Sequence, residues 1–139
     1  MVGETARVNS VANRSLIVLV LVHAATSLLH FVHNAVFLDD YPNMPAWISP
    51  AGVYGVWLAE AAIGAAGAVL WLRGRAAAGL ALLAVYAVLG LAGLDHYTLA
   101  PMSAHTIAMN ATIWLETATG IALLALVAWT FMGRARAVA

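Results

Sequence analysis

The stretch Ser15–Leu38, SLIVLVLVHAATSLLHFVHNAVFL, constrains the rest of the chain more than any other. It is long enough to cross a bilayer, which takes about 20 mainly apolar residues in a helix. Yet it carries His23, His30, His33 and Asn34. Ionisable groups in such a segment are costly against lipid and face a bundle interior instead. Helical spacing puts His23, Ser27, His30 and Asn34 on one stripe, with Thr26 and His33 at its edge. Leu, Val, Ile and Phe occupy the other sides. Other helices must therefore supply partners for the polar stripe.

Three further stretches qualify as spans: about Gly52–Leu72, Ala76–Tyr97 and His105–Met132. The Pro-rich segment Tyr41–Ala51 cannot continue a helix and reads as a loop against the mouth of the bundle. Arg73-Gly74-Arg75 reads as a tight turn between the second and third spans. Thr98–Ala104, with Pro101, reads as a second loop. Hydrophobic residues make up 64% of the chain and charged residues only 9%, far from the balance of a soluble domain. We therefore expect an all-α integral membrane protein, an antiparallel four-transmembrane-helix bundle forming a single domain over residues 1–139. Arg7 and Arg14 precede an apolar run as in a signal peptide. That run is too long for one and lacks a convincing cleavage site, so it reads as an uncleaved first span.

Charge orients this layout. All six basic residues are Arg, at 7, 14, 73, 75, 134 and 136, and all fall on one side. Asp39, Asp40 and Asp95 fall on the other. The positive-inside rule then predicts both termini in the cytoplasm, for a multi-pass protein of the plasma (inner) membrane. Met1–Arg14 is polar and reads as a loose or interfacial lead-in.

Composition also excludes chemistry. The chain has no Cys, which removes thiolate catalysis, disulfides and iron–sulfur ligation. It has no Lys, so a Schiff base is unavailable. A net charge of zero argues against nucleic acid as a partner. No HExxH, GxSxG, P-loop or dinucleotide-binding pattern is present.

What remains is a constellation at depth. Counting inward at about 1.5 Å per residue, His33 lies roughly 8 Å below the outer ends, His30 roughly 12 Å, and Glu60 and Glu116 each roughly 15 Å. Asp95, His96 and His105 sit at the outer rim. The inner halves of the spans are nearly pure Ala, Leu, Val and Gly. In the last span His105, Met109, Thr112 and Glu116 share one face. In the second, Glu60 lies on the side of the small residues, where helices can approach closely.

Imidazole and carboxylate are the ligands for zinc, iron, copper or manganese where thiolate is missing. The leading expectation is thus a metal-dependent enzyme acting on a small lipid-soluble substrate. Its candidate ligands are His30, His33, Glu60, His96, His105 and Glu116. Asn34, Asp95 and Asn110 would support them, and Trp57 and Trp114, each within a turn of a Glu, would line the pocket. The alternative is a metal-free isomerase or cyclase of an isoprenoid-like lipid, with Glu60 or Glu116 as acid and His30 as base. It predicts a closed apolar pocket beside the carboxylates, entered from lipid. A third reading is non-enzymatic: metal or proton passage, or haem ligation. It ranks lower, because only His23 offers a polar group in the inner half. His23 itself reads as an interhelical hydrogen-bonding contact, Asp39 and Asp40 as solvated ends, and Met44, Met102 and Met109 as fillers. The small size is compatible with a homo-oligomer.

Overall fold

In a computed structural model the secondary structure of residues 2–138 and the side chains of residues 14–136 are described. The fold is all-helical, with 85% of residues in helices. Helix α1 spans Val2–Val36, α2 Pro50–Leu72, α3 Ala76–Leu89, the single turn α4 His96–Leu99, and α5 Ile107–Val138. Four segments are long and apolar enough to cross a membrane: Arg14–Val36, Pro50–Leu72, Ala76–Leu99 and Ile107–Arg136. They form a ring in the order α1, α2, α3, α5 and back to α1, each packed on two neighbours.

Local chemistry explains most boundaries. Ser49 caps α2, its Oγ accepting from Gly52 N, and Pro50 takes the first helical position, where no donor is lost. The turn between α2 and α3 passes through Gly74 at φ 79°, a conformation open to glycine at little cost. Thr106 Oγ1 accepts from Met109 N at the start of α5. The fourth span thus begins at Ile107 rather than His105, which sits on extended backbone. The lead-in, expected to be loose or interfacial, is helical from Val2 onward.

The largest departure is in the third span. The expected single helix Ala76–Tyr97 ends at Leu89, and the chain tightens into a 3₁₀ turn at Ala92–Asp95 before α4. Gly90 and Gly93 stand at this break, where α3 meets α1 and α5. A Cβ on Gly90 would overlap the His23 imidazole, and one on Gly120 would lie 2.8 Å from Ala87 O. Only bare backbone fits here, and the regular helix gives way. In a membrane-spanning segment, irregular backbone of this kind would be tolerated only where protein buries it.

The end of the bundle bearing Arg73, Arg75 and Arg134 is dry. Leu16, Val20, Trp71, Leu80, Leu83, Ala87, Leu123 and Val127 interlock there. Close approach is again secured by small residues: a Cβ on Gly79 would meet the Trp71 backbone at 2.6 Å. Arg134 lies 5.6 Å over the Trp71 ring, so the Arg-bearing ends of α2 and α5 are neighbours. At the opposite end Ala35, Leu38 and Val53 form a smaller core with Phe31, Met44 and Ile48. The polar groups lie between these two cores. The charge of Arg7 belongs to a side chain outside the described residues.

Candidate active site

The predicted stripe on α1 is buried as a unit: His23, Ser27, His30 and Asn34 all face inward. They divide into two layers with different partners.

The deeper layer is a lock. His23 Nδ1 shares a 2.9 Å hydrogen bond with Thr119 Oγ1, which also bonds Thr26 Oγ1 at 2.7 Å. The His23 ring lies 4.8 Å from that of Tyr86, in the gap left by Gly90 and Gly120. His23 therefore joins α1 to α5 as an interhelical contact, as its position suggested.

The layer nearer the Asp-bearing end holds the reactive groups. His30 Nε2 stands 3.8 Å from Glu116 Oε2, with the two residues 2% and 1% exposed. That gap is longer than a hydrogen bond. Both Glu116 oxygens and His30 Nδ1 lack any protein partner, although Ser27 neighbours the carboxyl. Buried polar atoms without partners are rare in native proteins and call for an explanation. The space beside them is set by Gly93. A Cβ added there would lie 3.4 Å from Glu116 Oε2 and 3.7 Å from both His30 Nε2 and Ile113 Cγ2. The missing side chain at Gly93 thus leaves a notch in the backbone that faces acid and imidazole at once.

Imidazoles and phenols lead outward from the pair. The His30 and His96 rings are 5.5 Å apart, and His96 lies 4.7 Å from Tyr41 and 6.2 Å from His105. Asn34 Nδ2 donates to His96 Nε2 at 3.2 Å. His105 Nδ1 donates to Pro101 O, and its Nε2 is buried without a partner. His33 stands aside, half-buried and hydrogen-bonded through Nδ1 to the Tyr41 hydroxyl at 2.9 Å. Burial pushes the Tyr41 phenol up to about 12.

The remaining candidates are dispersed. Glu60 is buried on α2. Trp57 is half-buried with its Nε1 unpartnered. Asn110 is committed elsewhere: Oδ1 accepts from Tyr97 and Nδ2 donates to Met102 O and His105 O, pinning the α4–α5 loop. Trp114 is 46% exposed, its ring 6.2 Å from that of Tyr97. Asp95 is exposed.

Among the described residues no three His, Asp or Glu side chains are disposed to hold a metal ion. His30, His33, Glu60, His96, His105 and Glu116 therefore present no ready donor set among the described residues.

Sequence reasoning passed over Gly93, Tyr86 and Tyr41. The signal for Gly93 was its place three residues after Gly90, just before Asp95-His96. Glycines are common in membrane helices, so that spacing alone does not mark the break.

Comparison with protein-family models, curated proteins and solved structures finds no match. The site is therefore read from its own chemistry.

Proposed function

We propose that the protein is an integral membrane enzyme performing acid–base chemistry on a lipid-soluble substrate, an isomerase or cyclase of an isoprenoid-like lipid. Its four long helices span the plasma (inner) membrane with both termini cytoplasmic. Exposed Arg14, Arg73, Arg75, Arg134 and Arg136, set against exposed Asp39, Asp40 and Asp95, support that orientation.

One observation supports the reading: Glu116 Oε2 and His30 Nε2 stand 3.8 Å apart, both buried, beside the bare backbone of Gly93. A carboxylic acid facing a neutral imidazole is an acid–base pair ready to act. For an alkene the steps balance. The Glu116 proton adds to one alkene carbon, forming a C–H bond and leaving a cation on its neighbour. His30 Nε2 removes a proton from the next carbon, and that C–H electron pair becomes the new double bond. Glu116 is now a carboxylate and His30 an imidazolium. Proton return across the 3.8 Å gap resets both without any oxidant or reductant. A metal-dependent mechanism is not favoured, because the donors among the described residues do not fit a metal as they are disposed.

The test works whichever lipid is the substrate. Purified protein is reconstituted into vesicles of the total lipid of its native membrane, in heavy water. Mass spectrometry should find one lipid gaining carbon-bound deuterium. Glu116→Gln should slow this by at least about 100-fold, the usual scale for losing a general acid. No carbon-bound deuterium with the wild-type protein overturns the proposal.

A further inference from the structure

Glu116 and His30 are 1% and 2% exposed, so a proton held by either reaches water only through another group. The nearest opening is a cleft of about 440 Å³ between α1, α2, the loop after α1 and the Ala92–Leu99 segment. It is not the closed pocket beside the carboxylates that the acid–base reading anticipated: it is open, and neither Glu60 nor Glu116 lines it. Phe31 lines it instead and stands edge-on to the His30 ring at 5.8 Å, so hydrocarbon separates His30 from the cleft on that side.

One titratable side chain joins the two places. His96 lines the cleft, and its ring lies edge-on to that of His30 with centroids 5.5 Å apart. His30 Nε2 stands 3.8 Å from Glu116 Oε2, and His30 Nδ1 is buried with no hydrogen-bond partner. His30 thus has one nitrogen beside Glu116 and a second left over for a proton arriving from elsewhere. Imidazoles at this separation pass a proton by a small ring rotation or through one bridging water. At the mouth, exposed Asp95 lines the cleft next to His96 in the chain. Its negative charge raises the local concentration of protons beside the ring.

Asn34 suits a ring that changes its proton count. Its Nδ2 donates to His96 Nε2 at 3.2 Å, and its Oδ1 is buried with no hydrogen-bond partner. That pairing serves the neutral ring. Once Nε2 carries a proton, the amide turns over and Oδ1 accepts from it. A carboxylate only accepts and an ammonium only donates, so an amide is the partner that serves both states. The other rings around His96 are committed. Tyr41, at 4.7 Å, shares its hydroxyl with His33. His105, at 6.2 Å, donates from Nδ1 to Pro101 O and is not part of the cleft wall.

We infer that His96 is the relay through which the buried His30–Glu116 pair exchanges protons with water at the Asp95 side of the bundle. A proton from water binds one nitrogen of His96 and makes an imidazolium. The other nitrogen releases its own proton to His30 Nδ1, and His30 Nε2 passes one on to the Glu116 carboxylate. The reverse sequence returns a proton to water. The inference rests on the acid–base reading above and supplies the route by which that pair equilibrates with solvent. His96 acts through His30 and touches no reacting carbon.

The experiment is time-resolved infrared spectroscopy of the detergent-solubilised full chain after rapid mixing into heavy water. The carbonyl stretch of a protonated carboxyl moves on deuteration, and the Glu116 band is the one missing from Glu116→Gln. His96→Gln keeps a hydrogen-bonding partner for Asn34 but lacks the imidazole. It should slow the Glu116 shift by at least about 100-fold, the lower end of what positioned proton-transfer groups contribute. His105→Gln should exchange as the wild type does. In His96→Ala, imidazole added to the buffer should restore the rate in proportion to its concentration, entering by the cleft. Equal exchange in wild type and His96→Gln, equal slowing in His105→Gln, or slow exchange in His96→Ala that imidazole does not quicken would each overturn the inference. A wild type without a Glu116 carboxyl band would sink the acid–base reading, and the relay with it. His96-dependent exchange without carbon-bound deuterium in any lipid would sink the proposed reaction and leave the relay standing.

Discussion

A methyl group on Gly93 would lie 3.4 Å from Glu116 Oε2, an ordinary van der Waals contact rather than a clash. The fold can therefore accept Ala at this position, while the proposed proton transfer would lose the bare backbone beside both groups. We expect Gly93→Ala to keep its thermal unfolding temperature within a few degrees of wild type. Carbon-bound deuterium incorporation should fall at least about tenfold, from loss of positioning alone. Unchanged incorporation in a well-folded Gly93→Ala protein would remove the notch from the mechanism.

Gly90 predicts the opposite split. Its Cβ would overlap the His23 ring, so Gly90→Ala must displace that ring from its hydrogen bond to Thr119. Overpacking of this kind costs about 1–3 kcal/mol. His23→Ala should relieve much of the cost in the double variant, because the two residues share one space. Thermal unfolding in detergent measures both. Additive losses would mean that His23 does not occupy the gap.

Metal content separates the two enzymatic readings. Elemental analysis of the purified protein should find no stoichiometric transition metal, and chelators should leave deuterium incorporation intact. A metal bound one-to-one and lost in Glu60→Ala and Glu116→Ala would reverse the preference and restore the metalloenzyme.

Alkaline pH should act partly through Tyr41, which is 3% exposed and lies in the loop after α1. Burial raises its folded-state value from 10.0 to about 12. A raised value means that the folded state holds the phenolic proton more tightly. The contribution is thus fully present below about pH 10 and is lost as pH climbs towards 12. Unfolding temperatures measured between those limits should fall less steeply in Tyr41→Phe than in wild type. An identical slope would show that the phenol ionises without penalty.

Much of the architecture was legible because hydrocarbon imposes simple rules. Long apolar stretches predict spans, and the spacing of His23, Ser27, His30 and Asn34 predicts a buried stripe; all four are buried. The break in the third span was not legible, since Leu, Ala, Val and Gly run through it without a proline. The glycines there act through what approaches them, the His23 ring and the backbone at Ala87, and those neighbours come from distant parts of the chain.

The sequence alone determined that polar groups would be gathered inside an apolar bundle, because lone imidazoles and carboxylates are too costly to leave facing lipid. Tertiary structure decided which of them meet. His30 and Glu116 share a notch, Asn34 pairs with His96 at a cleft wall, His33 turns to Tyr41, and Asn110 closes a loop. Helical spacing assigns a residue to a face. The rotation of each helix and the break at Gly90–Gly93 bring particular atoms within reach, and both depend on packing across the whole ring.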